Sequence, residues 1–116
     1  MRNFRNWEIW KKSRKLVRET YLISTELPDT EKFGLVSQMR RAAVSIPANI
    51  AEGAGRKSEK ELRHFLHNAI GSAFELETLI ALAGDLNFIT EKQVSGFQKD
   101  LDEILRMING FISKLS

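Results

Sequence analysis

Apolar residues recur with a period near 3.5 along the whole chain, and no stretch sustains the alternation a strand needs. Four amphipathic segments follow from that pattern. In the first, Trp10, Val17 and Tyr21 share an arc with Ile9, Leu16 and Ile23, and the segment stops at Leu27-Pro28-Asp29. The second runs from about Thr30 to Glu52 and closes on Gly53-Ala54-Gly55, a glycine-rich termination signal. Ser58 with Glu61 forms a capping box that opens the third. Its apolar face is Leu62, Phe65, Ala69, Leu76, Leu79, Ile80 and Ala83, as far as Leu86. Thr90 with Gln93 opens the fourth, where Val94, Phe97, Leu101, Ile104, Ile108, Phe111 and Leu115 keep heptad a/d spacing.

Helices of roughly 20 to 28 residues would be about 30 to 42 Å long. Short connections force successive helices to run antiparallel, so the expected fold is all-α, an up-down-up-down four-helix bundle forming one domain over residues 1–116. Pro47 stands inside the second apolar pattern. It removes one helical hydrogen bond and crowds the carbonyl of Ala43, so we expect that helix to continue through a kink rather than stop.

Composition narrows the class. Hydrophobic residues at 42% and charged residues at 28% are the proportions of an ordinary globular domain. No apolar run is long enough to cross a bilayer, and none follows the basic start as a secretory signal requires. The chain has no cysteine, which excludes disulfides and thiolate metal sites and fits a cytoplasmic setting. Net charge is only +3, but residues 1–26 carry seven Lys/Arg against three Glu, while residues 58–86 carry two against five acidic groups. Such a dipole suits either attraction of a polyanion or head-to-tail pairing of subunits.

Two polar faces are candidates for function. On the first helix Lys11, Arg14, Lys15 and Arg18 recur at i, i+3, i+4 and i+7, with Arg2 and Arg5 on a flexible lead-in and Trp7 and Tyr21 at one margin. Cations flanked by aromatics suit a phosphate backbone and unstacked bases. The alternative is the solvated side of an amphipathic helix with its aromatics in the core. On the second helix Gln38, Arg41, Ser45, Asn49, Glu52 and Arg56 fall in one arc, opposite Leu35, Met39, Ala42, Ala43, Ile46 and Ile50. Short hydrogen-bonding side chains weaken a helix interior, so a use is expected for them. One use is an RNA or partner contact through Arg41 with Arg40 nearby. The other is a hydrogen-bonded network at a subunit interface, with Glu75 or Glu77 of the third helix joining it. Glu77 shares an arc with Leu62, Leu66 and Ile70 and calls for an arginine partner.

Glu61-Leu62-Arg63-His64 has the Glu-x-x-His spacing of di-iron bundles, but it occurs once, and the only other histidine is His67. No metal and no cofactor are expected. No nucleophile stands beside a base in sequence, and Gly53 and Gly55 read as helix termination rather than a phosphate cradle. A non-enzymatic protein is expected.

The run RRAAVSIPANIAEG, preceded by Phe33-Gly34-Leu35 and followed by Ser58, Phe65 and GSAFELET, resembles the bacterial four-helix-bundle family of 23S ribosomal RNA intervening-sequence proteins. Trp10 and the Leu27-Pro28…Glu31-Lys32-Phe33 junction fit as well, so the resemblance covers almost the whole chain. That family is similar in fold to the accessory variability determinant of diversity-generating retroelements. The resemblance implies a homo-oligomer, a pentamer in those relatives, with a basic surface for RNA or DNA and a reverse transcriptase as possible protein partner. His67 and Asn68 depart from the family pattern, standing where apolar residues are expected.

The sequence reading is therefore a self-associating bundle that presents helix 1, with Arg40, Arg56 and Lys57 as further cations, to nucleic acid. The alternative is a scaffold that docks a polymerase or other protein.

Overall fold

The computed structural model describes residues 2–115. A 3-10 turn at Phe4–Asn6 leads into α1 (Glu8–Ser24). A second 3-10 turn at Asp29–Glu31 precedes α2 (Leu35–Ala54), followed by α3 (Glu59–Asp85) and α4 (Glu91–Ser113). No strand occurs among the described residues.

Cross-helix contacts fix the topology. Arg2 near the start of the chain reaches the carbonyls of Ala54 and Arg56, while Arg40 reaches Ser24. So α1 and α2 run antiparallel. Gly53 lies against Leu62 and Phe65, and Ser45 meets Ser72, which sets α2 against α3 the same way. Gly84 faces Val94, pairing α3 with α4. Lys12 with Glu103 and Glu26 with Gln93 return α4 to α1. Neighbours in sequence are neighbours in space, α4 closes on α1, and the backbones of the diagonal pairs α1/α3 and α2/α4 stay apart. This is an up-down-up-down bundle with an overall extent of 44 × 24 × 20 Å.

The ends obey local chemistry. Ser58 accepts the Glu61 amide at 3.1 Å, and both halves of the Thr90–Gln93 capping box are present. At the end of α3, Asn87 adopts the left-handed conformation (φ 63°). There the Phe88 and Asn87 amides donate to Ala83 and Gly84, a Schellman motif that the sequence reading missed.

The end of α2 at Ala54, capped at Gly55, falls where Gly53-Ala54-Gly55 placed it, but the start of the helix and the role of Gly53 differ from expectation. α2 begins at Leu35, not near Thr30, because the Glu31 carboxylate accepts the Leu35 amide at 3.2 Å and Gly34 takes a non-helical conformation. Phe33 is thereby left outside the helix and 90% exposed. Gly53 does not terminate α2 but is buried within it, since a Cβ there would sit 2.8 Å from the Phe65 Cβ and 3.3 Å from the Leu62 carbonyl oxygen. Its role is close approach to α3. Through Pro47 the helix runs on from Leu35 to Ala54.

The core is built from Met39, Ile46 and Ile50 of α2, Leu62, Leu66, Leu76 and Ile80 of α3, Leu16 of α1, and Leu101 and Ile108 of α4. Ala42, Ala43, Ala69 and Ala73 keep α2 and α3 close. On α1 the buried face also holds Ser13, Thr20 and Ser24. Each hydroxyl donates to a carbonyl one turn back, at 2.8–2.9 Å, so no buried donor is stranded. His67 and Asn68 are exposed, so their departure from the family pattern does not touch the core.

Gly53→Ala is expected to destabilise the protein by about 1–3 kcal/mol through overpacking. Gly71, also inside α3, has nothing within 4 Å of an added Cβ. Gly71→Ala is expected to stabilise by about 0.5–1 kcal/mol through helix propensity. Urea unfolding at equal protein concentration checks both; equal effects would contradict the packing assigned to Gly53.

Candidate nucleic-acid interface

The buried side of α1 points at α2 and α4, which leaves Lys11, Arg14, Lys15 and Arg18 together on its exposed side. Their surroundings differ. Lys11 pairs with Glu8 at 3.8 Å and Lys15 with Glu19 at 3.9 Å, both loose surface pairs that a phosphate can displace. Arg14 stacks over Trp10, 4.6 Å from the ring centroid. Arg18 makes no ion pair among the described residues.

Arg40 is placed differently. Its Nε donates to Ser24 Oγ at 2.9 Å and its guanidinium lies 4.5 Å over the Tyr21 ring, clasping α2 to α1. That leaves Arg40 less available for phosphate than the α1 stripe. Trp7, at the margin of the stripe, packs on Phe111 with centroids 4.6 Å apart and serves the α1/α4 contact. The lead-in is also engaged rather than free: Arg2 caps carbonyls at the end of α2, and Phe4 sits edge-on to Trp10 at 5.1 Å. Arg56 stacks on Phe65 at 4.6 Å and approaches Glu52 at 3.5 Å.

The polar arc of α2 divides into three parts. Ser45 Oγ meets Ser72 Oγ at 2.8 Å, and Asn49 Nδ2 donates to Ser45 carbonyl and hydroxyl oxygens at 2.8 and 2.9 Å. This cluster ties α2 to α3, and its α3 member, Ser72, escaped the sequence reading. Glu52 turns outward to Arg56. Arg41 stays exposed with no ion pair among the described residues, lining a groove with Phe33, Ser45 and Glu75. Glu77 does not join it. It lies seven residues from Gly84, on the flank of α3 that meets α4, half-buried and with no arginine paired to it among the described residues.

A second charged cluster sits at the α1/α4 seam, where Lys12, Lys15, Glu19, Asp100 and Glu103 surround Leu16 and Ile104. Lys12 Nζ and a Glu103 carboxylate oxygen lie 2.6 Å apart, a hydrogen bond that holds the lysine above and the carboxyl below its ordinary value. Glu19 is pushed up, first by burial and then by the Asp100 charge beside it. Among the described residues no group of His, Cys, Asp and Glu is arranged to hold a metal. His64 is exposed, edge-on to Phe65. No helix of the described residues is long and apolar enough to cross a membrane.

An all-α up-down bundle with a cationic outer face on its first helix is thus the class that fold and surface define. Residues 5–110 match the profile of the 23S rRNA-intervening sequence protein family, and the chain belongs to that family. Among solved structures it is similar to a protein of unknown function from the S23 ribosomal protein family of Bacteroides thetaiotaomicron VPI-5482. The TM-score is 0.82 and the identity 25%, over 90% of this chain and 97% of that one. No curated protein matches the chain.

In dilute solution Glu19 is expected to titrate above the ordinary 4.5, and Asp100→Asn to bring it part of the way back, as read by NMR. A midpoint unmoved by the substitution would leave burial as the whole cause. Because the folded chain holds this proton more tightly than the unfolded one, Glu19 favours folding below about pH 4.5. That contribution is lost as pH rises through its raised value.

Proposed function

We propose that this protein is a non-enzymatic, cytoplasmic nucleic-acid-binding protein that self-associates and presents the α1 stripe to RNA or DNA. The observation that carries the reading is the set of four exposed cations, Lys11, Arg14, Lys15 and Arg18, on one side of one helix. Each is unpaired, loosely paired or held over a ring, so each can take a phosphate at little cost. Binding is then driven by counterion release and reads the backbone rather than the bases. Repeating the stripe around an oligomer multiplies the effect of a weak contact. The pentamer of similar bundles is the assembly this reading adopts.

A second reading rests on the α2/α3 groove, where neither Arg41 nor Glu75 has an ion pair among the described residues. There the bundle is a scaffold docking another protein, such as a reverse transcriptase or other polymerase.

The test is anisotropy with labelled structured RNA and duplex DNA between ~50 and ~200 mM salt. Four phosphate contacts on a duplex should cost roughly a hundredfold in affinity over that range. Reversing the charge at Lys11, Arg14, Lys15 and Arg18 together is expected to abolish binding with helicity intact by circular dichroism. Binding that survives the reversal, or is absent from the natural chain even at low salt, would contradict the reading and favour the scaffold.

A further inference from the structure

Lys15 belongs to two surfaces at once. It is one of the four exposed cations of α1, and it also lines the charged pocket of about 50 Å³ at the α1/α4 seam. In that pocket two lysines, Lys12 and Lys15, face three carboxylates, Glu19, Asp100 and Glu103. Lys12 is committed to Glu103 at 2.6 Å, so Lys15, 3.9 Å from Glu19, is the lysine left for Glu19 and Asp100 together. Arg18, the residue before Glu19, acts on it from the outer side of α1, more weakly than Lys15 does. Further along the seam Glu26 adds a negative charge and accepts a hydrogen bond from the Gln93 amide. Among the described residues, none that lines the pocket comes from α2 or α3.

A phosphate that takes Lys15 upsets this balance twice, by drawing off the lysine and by bringing its own negative charge. Glu19 and Asp100 then face each other across the seam with no lysine to share. A proton relieves the conflict, because a protonated Glu19 can donate a hydrogen bond to the Asp100 carboxylate. Burial and the Asp100 charge already push Glu19 towards that neutral form. The other acid paired to the stripe has a different setting. The Glu8 side chain is 63% exposed against 32% for Glu19, and its cleft offers Lys114 of α4 and no carboxylate from that helix.

We propose that Glu19 restrains the α1 stripe by holding Lys15, and that nucleic acid docking on the stripe displaces Glu19 and makes it take up a proton from solution. The coupling rests on the nucleic-acid reading of α1 and supplies its regulation. Linkage makes the effect reciprocal: a polyanion that favours protonated Glu19 is favoured by it to the same extent. Affinity therefore rises as pH falls through the titration of Glu19 and levels off below it. Glu19 acts here as a positioning residue, since it reaches the phosphate through Lys15.

Anisotropy with the labelled structured RNA, from about pH 7.5 to about pH 5 at ~50 mM salt, reads the coupling. The natural chain is expected to bind roughly two- to fivefold more tightly at the acid end, the scale of one partly exposed ion pair. Glu19→Gln should bind at neutral pH as the natural chain does in acid, with a flatter profile. Glu8→Gln removes the same charge from the same helix and should keep the natural pH dependence. Carboxyl NMR of the natural chain provides a reading free of substitutions: Glu19 should titrate at higher pH with RNA bound than without. No binding at any pH would sink the nucleic-acid reading and the coupling together. Binding whose pH dependence is the same in Glu19→Gln and the natural chain, or a Glu19 titration that RNA leaves unmoved, would overturn the coupling alone.

Discussion

The close approach of α2 and α3 is the constraint on which the remaining structure hangs. Gly53 leaves no room for a Cβ, and Ala42, Ala43, Ala69 and Ala73 supply small side chains along the same contact. Backbones that come this close put polar groups within reach of each other. The Ser45–Ser72–Asn49 cluster is the result, with its hydroxyls and amide satisfied. It explains why a helix would carry residues that disfavour helix interiors. Once α2 and α3 are locked, Arg40 clasps α1 through Ser24 and Tyr21, and α4 packs its heptad stripe against α3.

The α1/α4 seam is the counterpart. It is held at its middle by the Lys12–Glu103 pair and near one end by Trp7 on Phe111, and clefts open along it. Charges collect here because the seam is wet: a carboxylate such as Glu19 pays part of its hydration and is pushed up, while Lys12 and Glu103 pair in solvent. The outer side of α1 is the cationic surface that borders this seam, with Lys15 at the boundary between them. Its four exposed residues are the physical basis for the nucleic-acid reading.

Much of this was legible in the sequence because it depends on neighbours three or four residues apart. The four helices, the Thr90–Gln93 capping box, the Ser58 N-cap and the heptad stripe of α4 are local patterns, and the structure repeats them. What was not legible depends on another helix. Gly53 looks like a terminator until Phe65 and Leu62 are placed beside it. Ser72 is one serine among several until Ser45 meets it. Arg40 reads as a spare cation until Ser24 and Tyr21 arrive from α1, and Glu77 reads as a partner for Arg41 until its flank is seen to face α4. Leu27-Pro28 announced a break, but the start of α2 at Leu35 was set by a reach-back from Glu31. That shift is what exposes Phe33.

The proposed function puts nucleic acid on the outer side of α1. Side-chain NMR of the arginines and lysines during titration with a short structured RNA tests it most directly. Shifts are expected at Lys11, Arg14, Lys15 and Arg18, with Arg18 among the largest because it gives up no ion pair among the described residues. Shifts centred on Arg41 and its groove, or none at all, would contradict it.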